Sequence, residues 1–167
     1  MMGGGDIVGI LNSDDTYAES DIIEDVVETM IKAKVDSCYG NLANVDREET
    51  GKIIRYWRSD AYDRKRFKRG WMPPHPAFYV RRRVYEQYEL FSPDFPIAAD
   101  YELMLRFLYR YEVSTAYVPK VLVRMRSGGS SRAGLAIATR MLRENYRAWE
   151  ANGLRPRVWT FILKPLL

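Results

Sequence analysis

The sequence predicts an α/β protein on a parallel or mixed sheet, and two observations carry that prediction. Short apolar runs of strand length alternate with longer segments whose apolar residues recur at helical spacing. The first run, Ile7-Val-Gly-Ile-Leu11, is apolar at every position but Gly9, the pattern of a strand covered on both faces. No internal repeat, low-complexity tract or linker interrupts the order, so residues 1–150 read as one domain and 151–167 as an amphipathic C-terminal tail.

That first strand runs straight into Asn12-Ser13-Asp14-Asp15, at the carboxyl end where open α/β sheets bind ligands. Adjacent carboxylates are hard oxygen ligands and suit Mg2+ or Mn2+, with substrate phosphates completing the shell. The same four residues are also ordinary turn and helix-capping chemistry. Ile22, Ile23, Val26, Val27, Met30 and Ile31 then predict a helix from about Asp21 to Lys34, with Ser20 or Asp21 placed to cap it. Ser37 to Ala43 and Lys52 to Arg58 read as strands separated by a turn over Asp46 to Gly51.

Lys68-Arg-Gly-Trp71-Met-Pro-Pro-His75-Pro76 holds three prolines and a glycine, which prescribe a shaped loop instead of a helix. Trp71 and His75 offer that loop an apolar and a hydrogen-bonding face, or equally a core plug and a satisfied polar side chain. A short strand from Ala77 to Val80 and a helix from Arg81 to Tyr88 follow. A further helix begins near Ile97, with Asp100 in its first turn, where unpaired N–H groups and the positive helix end favour a carboxylate. Capping alone accounts for an acid there as well. Ser114–Tyr117 and Val121–Met125 read as strands, Leu135 to about Glu150 as a long helix.

A chain of 167 residues, 47% hydrophobic and 29% charged, has the composition of one soluble globular domain rather than of a disordered segment. One cysteine, Cys38, excludes an intrachain disulfide framework and points to a reducing, cytoplasmic setting, and one histidine cannot build a histidine metal cluster. No secretory signal opens the chain and no apolar run is long enough to span a bilayer. The acidic and basic residues are segregated. Asp14 to Glu28 holds seven acids and no base, while Asp60 to Arg83 holds eight bases against two acids. Such a basic field attracts phosphates or an anionic membrane, or is simply solvated. A buried-type strand at residue 7 with no preceding βα unit to pair with leads to the expectation that an N-terminal segment is missing.

Four stretches in order resemble the family-two, inverting GT-A (Rossmann-like) glycosyltransferases of bacterial surface polysaccharide biosynthesis. Gly5-Asp-Ile-Val-Gly-Ile-Leu-Asn-Ser-Asp14-Asp15-Thr-Tyr17 resembles the strand and Asp-x-Asp-type turn that hold donor diphosphate and metal. His75-Pro-Ala-Phe-Tyr-Val-Arg81-Arg82 resembles the loop and strand beside the acceptor. Ala99-Asp100-Tyr-Glu102-Leu-Met-Leu-Arg106 is similar to the Glu-Asp-x-Glu-Leu-x-x-Arg helix start that carries the catalytic base. Arg124-Met-Arg126-Ser-Gly128-Gly129-Ser-Ser131 resembles a basic, glycine-containing loop of the group. Two departures stand out: Ala99 replaces the acid before the catalytic aspartate, and the N-terminal half with the nucleotide-base pocket has no counterpart. The Gln-x-x-Arg-Trp motif of processive synthases is also missing, which argues for addition of single sugars.

The resemblance implies transfer of one sugar, with inversion, from a nucleoside-diphosphate-sugar donor to a hydroxyl of a saccharide or lipid-linked acceptor. It makes Asp100 the general base, Asp15 the principal ligand of Mg2+ or Mn2+ with Asp14 in support, and Asn12 and Ser13 further donor contacts. His75, Trp71, Tyr101 and Glu102 become acceptor contacts. Arg81, Arg106 and Arg124 become phosphate-binding or supporting cations, with structural pairing favoured for Arg106. Asp15 and Asp100 stand 85 residues apart, so only the fold can bring them to one sugar. The tail from Pro156 to Leu167 mixes bases with Trp159 and Phe161 and suits either packing on the domain or the inner membrane surface. Two rival readings are a truncated, non-catalytic fragment that needs a separate N-terminal half, and a nucleic-acid-binding module built on Arg64 to Arg69. The second leaves the acidic turn unexplained, and nucleic acid is not expected as a partner.

Overall fold

A computed structural model describes residues 4–127, 135–156 and 160. The chain folds into two compact units, one of Met1–Tyr62, Pro73–Tyr85 and Ser114–Ser131, the other of Asp63–Met72, Glu86–Val113 and Arg132–Leu167. The backbone passes between them repeatedly, so no single point in the sequence marks a boundary.

The first unit is a mixed six-stranded sheet with one helix, as the α/β pattern predicts. Its strands are β1 (Ile7–Gly9), β2 (Thr16–Tyr17), β3 (Ser37–Val45), β4 (Ile53–Trp57), β5 (Phe78–Arg81) and β6 (Thr115–Arg126). Their order is β1-β5-β3-β6-β2, with β4 also on β3; β3 and β6 run parallel and every other pair antiparallel. Helix α1 (Ile22–Lys32) lays Ile22, Val26 and Met30 on Leu42, Leu122 and Val123, and Cys38 is buried in the same core. The acidic run around α1 finds its counter-charge from far along the chain. Lys120 of β6 reaches Asp25 at 2.5 Å, Glu19 at 3.3 Å and Asp21 at 3.6 Å, and these anions hold its ammonium above the usual lysine range.

Two strands differ from expectation. β1 is not covered on both faces: it is a three-residue edge strand antiparallel to β5, Ile7 and Val8 are half-buried, and Gly9 is exposed. The apolar stripe of α1 is centred on β3 and β6, which leaves the outer strand thinly covered. The predicted strands 114–117 and 121–125 are one strand, β6. Pro119 falls between the pairs Tyr39↔Tyr117 and Asn41↔Val121, where the register shifts and the ladder needs no N–H from it. Gly40 is required at that irregularity, since a Cβ there would stand 2.4 Å from Leu122 Cγ.

The second unit is helical and aromatic. A 3-10 turn (Arg64–Arg69) precedes the loop of Trp71. Helix α3 (Ala99–Met104) widens into a π-helical stretch (Leu105–Arg110), and α4 (Leu135–Ala151) closes the described chain. Trp149 donates to the Tyr101 hydroxyl at 2.8 Å, and Phe67 packs edge-on against Trp71 with centroids 5.6 Å apart. Helix α2 (Arg82–Tyr88) begins in the first unit, where it buries Val84 and Tyr85, and its last residues from Glu86 belong to the second. No described helix is long and apolar enough to cross a membrane. The tail residues Trp159 and Phe161, and the glycines Gly128 and Gly129, lie outside the described residues.

Candidate functional site

The acidic turn after β1 is a built structure. The Asp15 amide donates to the Asn12 carbonyl at 3.1 Å, closing a turn over Ser13 and Asp14, and the Asn12 side-chain amide donates to Asp15 Oδ2 at 2.8 Å. Asp15 is thereby drawn inward to 6% exposure, while Asn12, Ser13 and Asp14 stay exposed. Its second oxygen, Oδ1, is buried without a hydrogen-bond partner. Burial pushes the Asp15 carboxyl above the usual aspartate range and the Asp14 charge adds to this, against the pull of the Asn12 amide and of main-chain N–H groups.

A buried carboxylate oxygen with no donor is costly unless something positive meets it. A hard divalent cation relieves both the desolvation and the repulsion from Asp14, so this donor set fits Mg2+ or Mn2+. Among the described residues no group of three or more His, Cys, Asp or Glu side chains converges. The remaining ligands of such an ion would have to come from substrate phosphates and water, as is usual for Mg2+.

The other predicted residues of this unit are placed as follows. His75 is half-buried in the short 3-10 turn His75–Ala77 that leads into β5. Arg81 donates to the Val35 carbonyl at 3.2 Å and lies 3.8 Å from Asp36, while Arg82 donates to the Gly5 carbonyl and Arg83 to Asp36. Arg124 on β6 is exposed and pairs in register with Thr16, one residue beyond Asp15. Three of the eight bases in the field read in the sequence, Arg64, Arg81 and Arg82, thus hold backbone carbonyls. Arg64 likewise donates to the Tyr109 carbonyl at 3.0 and 2.8 Å, and Arg66 covers the Trp71 ring.

In the second unit Asp100 is half-buried in the first turn of α3, and its Oδ1 accepts from the Tyr101 amide at 2.7 Å. The helix gets no side-chain cap of its own. Glu144 of α4 does that work: its Oε2 accepts from the amides of Ile97 and Ala98 at 2.8 and 3.0 Å. Burial pushes the Glu144 carboxyl up, but those two amides and Arg140 outweigh it and hold the group below the ordinary glutamate value of 4.5. Glu144 escaped the sequence reading because a cap supplied from 46 and 47 residues downstream leaves no local signature. A lowered folded value means the cap contributes its full stability above 4.5 and loses it as pH falls through the folded value. Glu144→Ala is expected to cost about 1–3 kcal/mol at neutral pH, as two amides lose a charged partner. Thermal melts at neutral and acid pH check it, the gap to wild type narrowing in acid.

Three predicted acceptor contacts take other positions. Glu102 is 4% exposed, and both its oxygens are engaged: Oε1 by Arg106 at 3.0 Å and Asn152 at 3.0 Å, Oε2 by Arg106 at 2.9 Å. Arg106 turns its remaining donors on the carbonyls of Tyr88, Glu89 and Leu90. Tyr101 and Trp71 are 2% and 3% exposed and belong to the aromatic core. Their side chains are used up in packing, because a small unit buries its large aromatics first. Arg106 thus pairs with Glu102 and three backbone carbonyls of its own unit.

No family model matches the chain, and a comparison with curated proteins finds no match either.

Proposed function

We propose that this chain is the catalytic C-terminal part of an inverting glycosyltransferase of the GT-A type, family two, transferring a single sugar from a nucleoside diphosphate to an acceptor hydroxyl. The observation that carries the reading is the buried Oδ1 of Asp15, without a hydrogen-bond partner, beside the exposed Asp14, in the turn between β1 and β2 of an α/β unit. A divalent cation held by Asp15 and Asp14 would supply Lewis-acid stabilisation of the departing diphosphate. Asp15 holds the site, Asn12 fixes the angle of its carboxylate, and Asp14 adds negative charge at the solvent side. Exposed Arg124 offers a cation to phosphate oxygens. The resemblance assigns Asp100 to accept the proton of the acceptor hydroxyl as that oxygen attacks the anomeric carbon and the diphosphate leaves, and His75 to orient the acceptor, a saccharide or a lipid-linked one.

Asp15→Asn tests the metal site without any turnover. The variant keeps the shape and removes the buried charge, so it is expected to melt at the same temperature as wild type or higher in metal-free buffer. Wild type is expected to gain melting temperature with Mn2+, and the variant to gain none. Equal Mn2+ shifts in both proteins would remove the metal from Asp15.

A second reading is favoured by the outer edge of β1, which pairs only with β5 among the described residues. In it the chain is a non-catalytic subunit or fragment that binds metal but needs a separate N-terminal half for the nucleotide. Titration calorimetry with nucleoside diphosphates in the presence of Mn2+ separates the two. Nucleotide heat supports the enzyme, and a metal response without nucleotide heat supports the fragment. The nucleic-acid reading loses ground because Arg64, Arg66, Arg81, Arg82 and Arg83 are engaged within the protein.

A further inference from the structure

The least expected surface of the first unit is β4. Every residue of Ile53–Tyr56 is exposed, with Ile53 and Ile54 at 54% and Tyr56 at 49%, and Trp57 is half-buried. An exposed apolar strand edge is a liability unless something covers it. The register tells which side chains share a face. Tyr56 stands beside Ala43 and then Arg124, and Ile53 beside Val45 and then Arg126, so Ile53, Tyr56, Arg124 and Arg126 share one face across two small or buried neighbours. Arg55 and Trp57 point to the opposite face, where the guanidinium lies 5.8 Å from the indole centroid. Ile54 is the extra residue at the irregularity between Asn44 and Val45.

Basic residues predominate around these apolar groups. Lys52, Arg55 and Arg58 punctuate the strand, and Arg124 and Arg126 flank it. The acids of the hairpin are in its turn, where Asp46 accepts from the amides of Glu48 and Glu49, and Arg58 keeps Asp60 at 3.0 Å. Trp57 packs against the core on its own face, so the wet apolar groups of β4 are Ile53, Ile54 and Tyr56. A partner strand would satisfy the backbone edge and leave these side chains wet, whereas a lipid interface takes them together, with tyrosine at headgroup depth and cations on anionic phosphates.

We infer that β4, with Arg126 beside it, is a membrane-docking surface for anionic phospholipid bilayers. The inference does not need glycosyl transfer, although it would present the protein to a lipid-linked acceptor. It also differs from a membrane role of the tail, because it places the contact within the sheet.

Flotation of the full chain with vesicles of phosphatidylcholine alone, or of phosphatidylcholine mixed with phosphatidylglycerol, tests it with no sugar donor present. Wild type is expected to float with the mixed vesicles and not with neutral ones, and to be released by high salt. Arg55→Gln with Arg126→Gln is expected to weaken partition by about fivefold per cation, roughly 30-fold together. Ile53→Asp with Ile54→Asp is expected to abolish it; these exposed positions leave the melting temperature unchanged. Wild-type partition by both double variants, or equal binding to both vesicle types, overturns the proposal. So does a light-scattering mass that falls from dimer to monomer in the Ile53→Asp, Ile54→Asp variant, which would make β4 an edge between two copies.

Discussion

Arg106→Met is expected to destabilise the helical unit by roughly 3–5 kcal/mol, the cost of leaving a buried charge without its partner. The side chains of Arg106 and Glu102 are 9% and 5% exposed, one turn apart on the helix. Removing the guanidinium strands Glu102 with only the Asn152 amide, and strips the carbonyls of Tyr88, Glu89 and Leu90 of their donor. Glu89 sits at φ 70°, a left-handed conformation that a side chain adopts only under constraint, so the turn it belongs to depends on that donor. Denaturant melts read the loss. Glu102→Gln combined with Arg106→Met is expected to recover part of it, since the lone charge is then gone; additive losses in the cycle would show that the pair is not coupled.

Asp100→Asn is expected to lower turnover by about 10²–10⁴-fold, the usual contribution of a general base. The amide oxygen still accepts from the Tyr101 N–H, so α3 keeps its start and the melting temperature stays put. Nucleotide and Mn2+ affinity are expected to be unchanged, which separates a lost base from a lost fold. Initial rates with a donor and acceptor, together with calorimetry, provide both readouts. Near-normal turnover would take Asp100 out of the mechanism.

Several elements were legible along the chain. The spacing of Ile22, Val26 and Met30 announced α1, and the observed helix differs from the expected one by a residue or two at each end. Cys38, the single cysteine, is buried on β3. Asp14 and Asp15, by contrast, look alike in the sequence. Their difference, one buried and one exposed, comes from the Asn12 amide pulling a single carboxylate inward. The basic stretch from Arg64 to Arg83 looked like a surface for anions because a sequence displays charges without the carbonyls that consume them. Trp71, Tyr101 and Glu102 looked available for a ligand for the same reason.

Periodicity and the pattern of polar and apolar residues determined the α/β class and most of the elements, because burial of one face is a local constraint repeated every two or 3.6 residues. Tertiary structure alone decided that β1 lies at an edge, that Lys120 neutralises the acids of α1, that Glu144 caps α3, and that Glu102 belongs to Arg106. These partners come from other elements or compete with alternatives of equal spacing, and a polar group's role is set by which donor or acceptor reaches it once water is excluded.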